Sequence, residues 1–404
     1  MNSKPLKKLE IFKLLKKIKI SNIKDEKIEL SKSYSRILSY NVISQLYLPP
    51  FNNSAVDGYA IHKKDINNYK KIKCCKRIIA GENKIFKAKP GEAIRIFTGA
   101  SMPMNSKTVV MQENIKILKD YIYINKSPKY GENCRLKGED ISKGDIILKK
   151  GQKITNTNLN LIAAIGKKNI LVREKLRIGF YTSGNELVRP TEKLKGSQIN
   201  NSNFYSLKSL LNEPLFKSKY LGNLKDNKRI ITDSLIKNTS KYDVIITAGG
   251  ASVGDEDYLI RVIKEIGKIF LWKAAIKPGR PLAIGKINNT VIICLPGNPV
   301  SVHLLYGMII RPYLEFLCGA PLIMPVGIPV VVNFSMKKKT QRLEWLRVVI
   351  SPDQNYLSVN KYLKQGSGMI SSIANSHGII EIPENISQIN CGDNFVFYPY
   401  NLLF

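Results

Sequence analysis

Histidine is scarce in this chain, and its cysteines stand in no metal-binding pair. Its three histidines, His62, His303 and His377, have no partners at metal-ligand spacing, and its six cysteines, at 74, 75, 134, 294, 318 and 391, form no C-x-x-C pair. That argues against a zinc centre of the usual ligand type. Scattered cysteines also point to a reducing, cytoplasmic setting. The basic stretch Met1–Ile20 is interrupted throughout by lysine and offers no apolar h-region. No apolar run reaches the roughly 18 residues needed to span a membrane. Carboxylates are scarce as well: 31 Asp+Glu stand against 64 Lys+Arg, a formal charge of +33. Such an excess fits an anionic partner, whether nucleic acid, membrane surface or small substrate. It equally fits a lysine- and asparagine-biased genome. The lysines are spread along the whole chain instead of forming a stripe interleaved with aromatics, which favours the second reading over a nucleic-acid footprint.

What is present suits a multidomain protein. With 404 residues and 44% hydrophobic content, about two to four packed domains are expected. Ile11, Leu14, Leu15 and Ile18 form a helical stripe that suits packing on a neighbouring domain better than a membrane surface. A second helix is predicted over about Leu30–Ser44. From Pro49 to Gly144 short β-rich runs (Ala93–Phe97, Thr108–Met111, Tyr121–Ile124) alternate with turn residues. Helical text returns at Thr157–Ile165. From Leu176 strand and helix alternate: strands at Arg177–Tyr181, Leu215–Leu221, Val244–Thr247 and Ile269–Lys273, helices at Ser202–Leu211, Asn227–Lys237 (Asp226 as N-cap) and Tyr258–Ile266. A hairpin follows, turning at Asn288-Asn289, and then a helix over Val300–Phe316 kinked at Pro312. This predicts an α/β fold: a central, mostly parallel sheet domain (176–320) with helices on both faces. A β-rich lobe (46–143) is inserted in a linking domain (1–45 and 144–175), and a small β-rich domain (321–404) ends the chain.

The stretch most able to carry chemistry is Asp243–Ser301. Val244–Thr247 reads as a buried parallel strand, and it runs into Gly249, Gly250, Ser252 and Gly254, then Asp255, Glu256 and Asp257. Open α/β sheets bind ligands at such strand ends, and glycines let backbone N–H groups approach a phosphate. The loop matches neither G-x-x-x-x-G-K-[ST] nor G-x-G-x-x-G, and a simple tight turn is the competing reading. The carboxylates can complement a helix dipole or hold Mg²⁺. Glu186 and Asp226 should also lie at strand ends, and three carboxylates converging on one cleft favour the metal. Lys273, Lys277 and Arg280 sit on a loop stiffened by Pro278, Gly279 and Pro281, as suits a doubly charged anion. Pro296, Gly297, Asn298 and Ser301 form another strand-to-helix junction. SAVDGYA (Ser54–Ala60) and FTGASMP (Phe97–Pro103), taken alone, read as turns.

Taken together, SAVDGYA, FTGASMP, GED (Gly138–Asp140), TSGNEL (Thr182–Leu187), AGGASVGDEDY, WKAAIKPGRP, LPGNPVS and QGSGMISSIANSHGIIEIPE resemble, in order and spacing, the molybdopterin molybdenumtransferases, the family to which the gephyrin E domain is similar. The resemblance covers nearly the whole chain. It implies an elongated homodimer of four-part subunits that inserts molybdate into adenylyl-molybdopterin and releases AMP with the help of Mg²⁺. It implies that Glu186, Asp226 and Asp257 bind Mg²⁺ or orient the pyrophosphate. It implies that Lys273, Lys277 and Arg280 with Ser301 hold anions, and that Asp57, Thr98 and Asp140 complete the cleft from the other subunit. Transient contact with an adenylyltransferase and with molybdoenzyme partners is implied too. Arg280 stands where the family usually has Lys, and Val56 where it has Met. The alternatives are the related adenylyltransferase, a gephyrin-like non-catalytic scaffold, and a nucleic-acid binder.

Overall fold

The computed structural model describes residues 4–21, 23–67, 71–250, 258–351 and 357–404. Its centre is a six-stranded sheet in the order Phe216–Leu224, Leu176–Ser183, Val244–Ala248, Thr290–Leu295, Ala283–Ile287, Lys268–Trp272. The first four strands are mutually parallel; Ala283–Ile287 runs antiparallel to them, and Lys268–Trp272 pairs antiparallel with it. Val244–Ala248 is buried along its whole length, as a strand covered on both faces must be. Alternate residues feed two cores. Val244, Ile246 and Ala248 face a cluster that includes helix Ser202–Leu210, the long helical segment after Pro299 and the N-terminal helix Lys8–Leu15. Ile245 faces Ile231, Leu235, Leu259, Val262 and Ile263 of helices Lys228–Thr239 and Tyr258–Ile266. The α/β alternation read from the sequence is thus the architecture of this unit. The N-terminal helix is a packing helix: Ile11, Phe12 and Leu15 are buried, and Lys8 pairs with Glu381 of the C-terminal sheet at 2.5 Å.

Two β-rich units flank this sheet. The lobe holds a six-stranded sheet in the order Ser106–Met111, Gly58–His62, Glu92–Ile96, Ile72–Ile78, Tyr121–Ile124, Ile115–Leu118. Near the C-terminus Leu343–Ser351, Ser358–Lys361, Ile328–Val332, Asn394–Pro399 and Gly378–Ile382 pair in turn, and the first also pairs with the last, which closes them into a barrel. A sixth, two-residue strand adds to this sheet from far away in sequence. Ile276–Lys277, part of the loop after the central sheet's edge strand, pairs in parallel with Leu343–Glu344.

Three local expectations are corrected. Residues 30–44 do not form a helix beyond one 3₁₀ turn at Leu30–Lys32. The segment is extended: Ile37 bridges Lys153, Leu38 bridges Val172, and Val42–Ile43 is a strand. Serines at 33, 35, 39 and 44 offer local alternatives to helical hydrogen bonds, and Ser35 adopts a positive φ of 61°. Asp226 is not the N-cap; Asn227 is, its Oδ1 accepting from Ile230 N at 3.1 Å. The helix after Pro299 is not simply kinked at Pro312. It carries a π-turn at Tyr306–Ile310 directly before that proline, a local widening of the kind that absorbs an irregularity in a helix. The predicted hairpin forms, with Ile287 paired to Thr290 and Asn288 at φ 51°.

Gly58 lies against the Val110 carbonyl, so that any Cβ would collide with backbone. Gly58→Ala is therefore expected to destabilise the lobe by about 1–3 kcal/mol. Hydrogen exchange should show lost protection in Gly58–His62 while the central sheet keeps its own; unchanged protection in that strand would contradict the packing described.

Candidate active site

The carboxyl ends of the parallel strands lie along one edge, held by a buried polar network. The Thr182 hydroxyl donates to Asn223 Oδ1 at 3.1 Å, lies 2.9 Å from the Tyr220 hydroxyl, and accepts from Asn201 Nδ2 at 2.8 Å. Asn223 Nδ2 donates to the Gly184 carbonyl at 2.8 Å, and Asp226 N to Asn185 Oδ1 at 3.4 Å. These bonds tie the Glu186 loop to the Asp226 loop. Glu186 is exposed and its carboxylate lies back over Gly184. Gly249 N donates to the Leu295 carbonyl at 3.0 Å, and Asn203 Nδ2 to the Gly297 carbonyl at 2.6 Å, which brings Pro296 and Gly297 to the same edge. Gly249 and Gly250 have φ of 100° and 71°, the left-handed backbone that favours glycine. Ser252, Gly254 and Asp257 lie outside the described residues. Among the described residues no three Asp, Glu, His or Cys side chains gather into a metal site.

The loop after Trp272 folds on itself. Lys273 N donates to the Leu282 carbonyl at 3.0 Å and Ala274 N to the Arg280 carbonyl at 2.8 Å. Gly279, at φ 127°, backs onto Leu305, where a Cβ would sit 2.9 Å from the side chain. The loop thereby presents Lys277 and Arg280 to a cavity of about 270 Å³, shared with Pro296, Asn298 and Ser301 on one side and Arg342, Glu344, Arg347, Gln365 and Ser367 on the other. Lys273 does not line it. Held at φ 76°, it lays its ammonium over the Trp272 ring at 4.5 Å.

The far wall was not legible in the sequence. Arg347 is 1% exposed and donates to the Ser372 hydroxyl at 3.2 Å and the Gly366 carbonyl at 3.3 Å. Burial pulls its pKa down, and no carboxylate forms an ion pair with it among the described residues. A buried cation with no carboxylate in direct contact is costly, on the order of several kcal/mol, and it favours an anion beside it. Gln365 clamps the strand from both sides, accepting from Arg347 N and donating to Arg347 O. Asn298 Nδ2 donates to Ser367 Oγ at 2.9 Å, which closes the two walls on each other. The signal available was QGSGM, a turn-rich stretch whose glycines place Ser367 at the mouth.

Asp57 and Thr98 meet each other, but not this cavity. Asp57 Oδ1 accepts from both Thr98 N and Thr98 Oγ1 at 2.8 Å. The backbone bond first, then the hydroxyl, hold its carboxyl below the usual carboxylate value. Asp140 lies in a surface loop, its N–H donating to the Leu48 carbonyl at 3.0 Å. Among the described residues no hydrogen bond or ion pair joins the lobe to the central sheet. Thr98→Val removes the hydroxyl and leaves the backbone donor. The Asp57 carboxyl should then titrate at higher pH than in the parent yet below the ordinary value, read by carboxyl-carbon NMR. An unchanged midpoint would contradict the role given to the hydroxyl.

Residues 7–166 match the MoeA N-terminal region (domain I and II), residues 179–315 the probable molybdopterin binding domain, and residues 329–400 the MoeA C-terminal region (domain IV). The chain is 32% identical to the molybdopterin molybdenumtransferase of Haemophilus influenzae over 94% of each protein. It is also 32% identical to that of Nostoc sp. over 76% of this chain and 73% of the relative. Among solved structures, a molybdopterin biosynthesis moeA protein from Pyrococcus horikoshii OT3 aligns with a TM-score of 0.82 at 26% identity, covering 98% of this chain and all of the other. The chain belongs to the molybdopterin molybdenumtransferase family.

Proposed function

We propose that this protein inserts molybdate into adenylyl-molybdopterin, releasing AMP and yielding molybdenum cofactor. The observation that carries the reading is the buried Arg347 guanidinium, with no carboxylate in ion-pair contact among the described residues, beside a cavity also lined by Lys277, Arg280, Arg342, Ser301 and Ser367. A small tetrahedral dianion suits that set: several cations supply charge and two hydroxyls donate. The glycines at the strand ends, Gly249 and Gly250, carry no side chain and leave room there for phosphate oxygens. Molybdate and the adenylylated pterin are both polyanions, and a cationic cleft lowers the cost of bringing them together. The two thiolates that receive molybdenum belong to the substrate, so the protein needs neither cysteine nor histidine in the cleft. The proposed setting is the cytoplasm, and delivery and collection would be by transient contact with an adenylyltransferase and molybdoenzymes.

Glu186 and Asp226, tied together at neighbouring strand ends, offer the oxygen donors that Mg²⁺ takes, and with Asp257 they would hold it. Bound there, Mg²⁺ would supply positive charge to the pyrophosphate as its bond breaks. On the same reading the subunit is four-part and works as a homodimer, with Asp57, Thr98 and Asp140 reaching the cleft of the partner. Among the described residues no hydrogen bond or ion pair joins lobe and central sheet within one chain, which agrees with this reading. Lys273, turned onto Trp272, would serve the pyrophosphate side of the cleft and not the cavity.

AMP release from adenylyl-molybdopterin should require molybdate; release that is indifferent to molybdate would overturn the activity. Sharing of the site is tested by complementation. Asp57→Ala and Lys277→Ala should each be inactive, yet after mixing and subunit exchange activity should return to about a quarter of the parent's, because half the dimers then hold one intact site. No recovery despite exchange would place Asp57 and Lys277 in the same chain's site.

A further inference from the structure

Glu344 is the one acidic side chain among the described residues lining the cavity, where it faces Lys277, Arg280, Arg342 and Arg347. Its side chain is 9% exposed, and its Oε1 lies 2.8 Å from Lys277 Nζ, whose own side chain is 54% exposed. The two residues are direct partners in the parallel pairing of Ile276–Lys277 with Leu343–Glu344, so the backbone fixes both on one side of the joint. Lys338 and Arg347 also feel the Glu344 charge. The asymmetry of burial matters. An exposed lysine is well solvated alone, whereas a buried carboxylate is costly unless paired. The pair therefore answers a need of Glu344, and that need keeps Lys277 occupied whenever the cavity holds no other anion.

A cavity lined by four cations and no carboxylate would hold any small oxyanion, including phosphate and sulfate, and release it slowly. A carboxylate fixed among those cations competes with every incoming anion and repels it at short range. We propose that Glu344 is an internal competitor for the oxyanion. It occupies Lys277 until the anion takes that cation over, weakens oxyanion binding as a whole, and so keeps the site exchangeable. Glu344 acts through Lys277 and is a positioning residue. This inference rests on the reading of the cavity as the molybdate site.

The test measures equilibrium binding of molybdate, tungstate and sulfate to the full chain. Glu344→Gln should bind all three about tenfold more tightly than the parent, equivalent to about 1.4 kcal/mol, and the KM for molybdate should fall while kcat changes little. Glu344→Asp, which withdraws the carboxylate by one methylene, should tighten binding by a smaller factor, and it serves where the Gln variant fails to fold. Equal or weaker binding in the variants would overturn the proposal and leave the pair as a structural link between the two walls. Lys277→Ala and Ser301→Ala separate the two levels. If both bind oxyanions as the parent does, the cavity is not the oxyanion site; if both lose binding while Glu344→Gln is unchanged, only the competitor role falls.

Discussion

A two-residue backbone pairing holds the two walls of the cavity in place. Ile276–Lys277 leaves the central unit and joins Leu343–Glu344 as an added strand of the C-terminal barrel, with Leu343 N donating to the Ala275 carbonyl at 3.0 Å. The pairing sets Lys277 and Arg280 opposite Arg342 and Arg347. The rest of the joint depends on it. The loop from Lys273 to Leu282 is closed by its own hydrogen bonds, Gly279 backs onto Leu305, and the Gln365–Ser367 turn reaches Asn298. Remove the pairing, and neither wall by itself encloses an anion. The N-terminal helix strengthens the joint from behind. It packs Ile11 and Leu15 into the shared core, and Lys8 reaches Glu381 on the barrel.

The electrostatics of the cleft divide into two parts. At the carboxyl edge of the parallel sheet, Glu186 and Asp226 stand among glycines and backbone donors, and the Thr182–Asn201–Asn223 network beneath holds their loops. In the cavity between the walls the balance reverses, with cations in excess and one carboxylate among them. A substrate that carries a pyrophosphate and reacts with a separate oxyanion needs both kinds of environment close together. The exposed Asp57–Thr98 pair fits neither part within its own chain. Its carboxylate is held by two hydrogen bonds from Thr98 and lies outside the cavity between the walls.

Much of the fold was legible because its signals are local. Val244–Thr247 reads as a buried strand from its unbroken apolar run, and Tyr258–Ile266 reads as a helix from Leu259, Val262, Ile263 and Ile266 on one face; both stand where expected. The segment 30–44 misled because Ile37, Leu38 and Val42 keep helical spacing by coincidence. They bury into clusters through long-range bridges that no window of sequence reveals. The cavity's far wall was illegible for the same reason. An arginine in a β-strand of a chain with 64 Lys+Arg reads as solvated, and only the tertiary fold makes Arg347 a buried cation. Asn201 caps its helix, with Oδ1 accepting from Phe204 N, and its second bond, to Thr182, reaches a strand 19 residues away that no local window of sequence shows.

On the proposed function the oxyanion sits in the joint between the two walls. A crystal structure of the protein soaked with molybdate tests it most directly, since molybdenum is electron-dense and its anomalous signal marks its position. A tetrahedral anion is expected between Lys277 and Ser301 on one side and Arg347 and Ser367 on the other. Molybdenum found only elsewhere, on the barrel's outer face or against the lobe, with this cavity left to water, would contradict it.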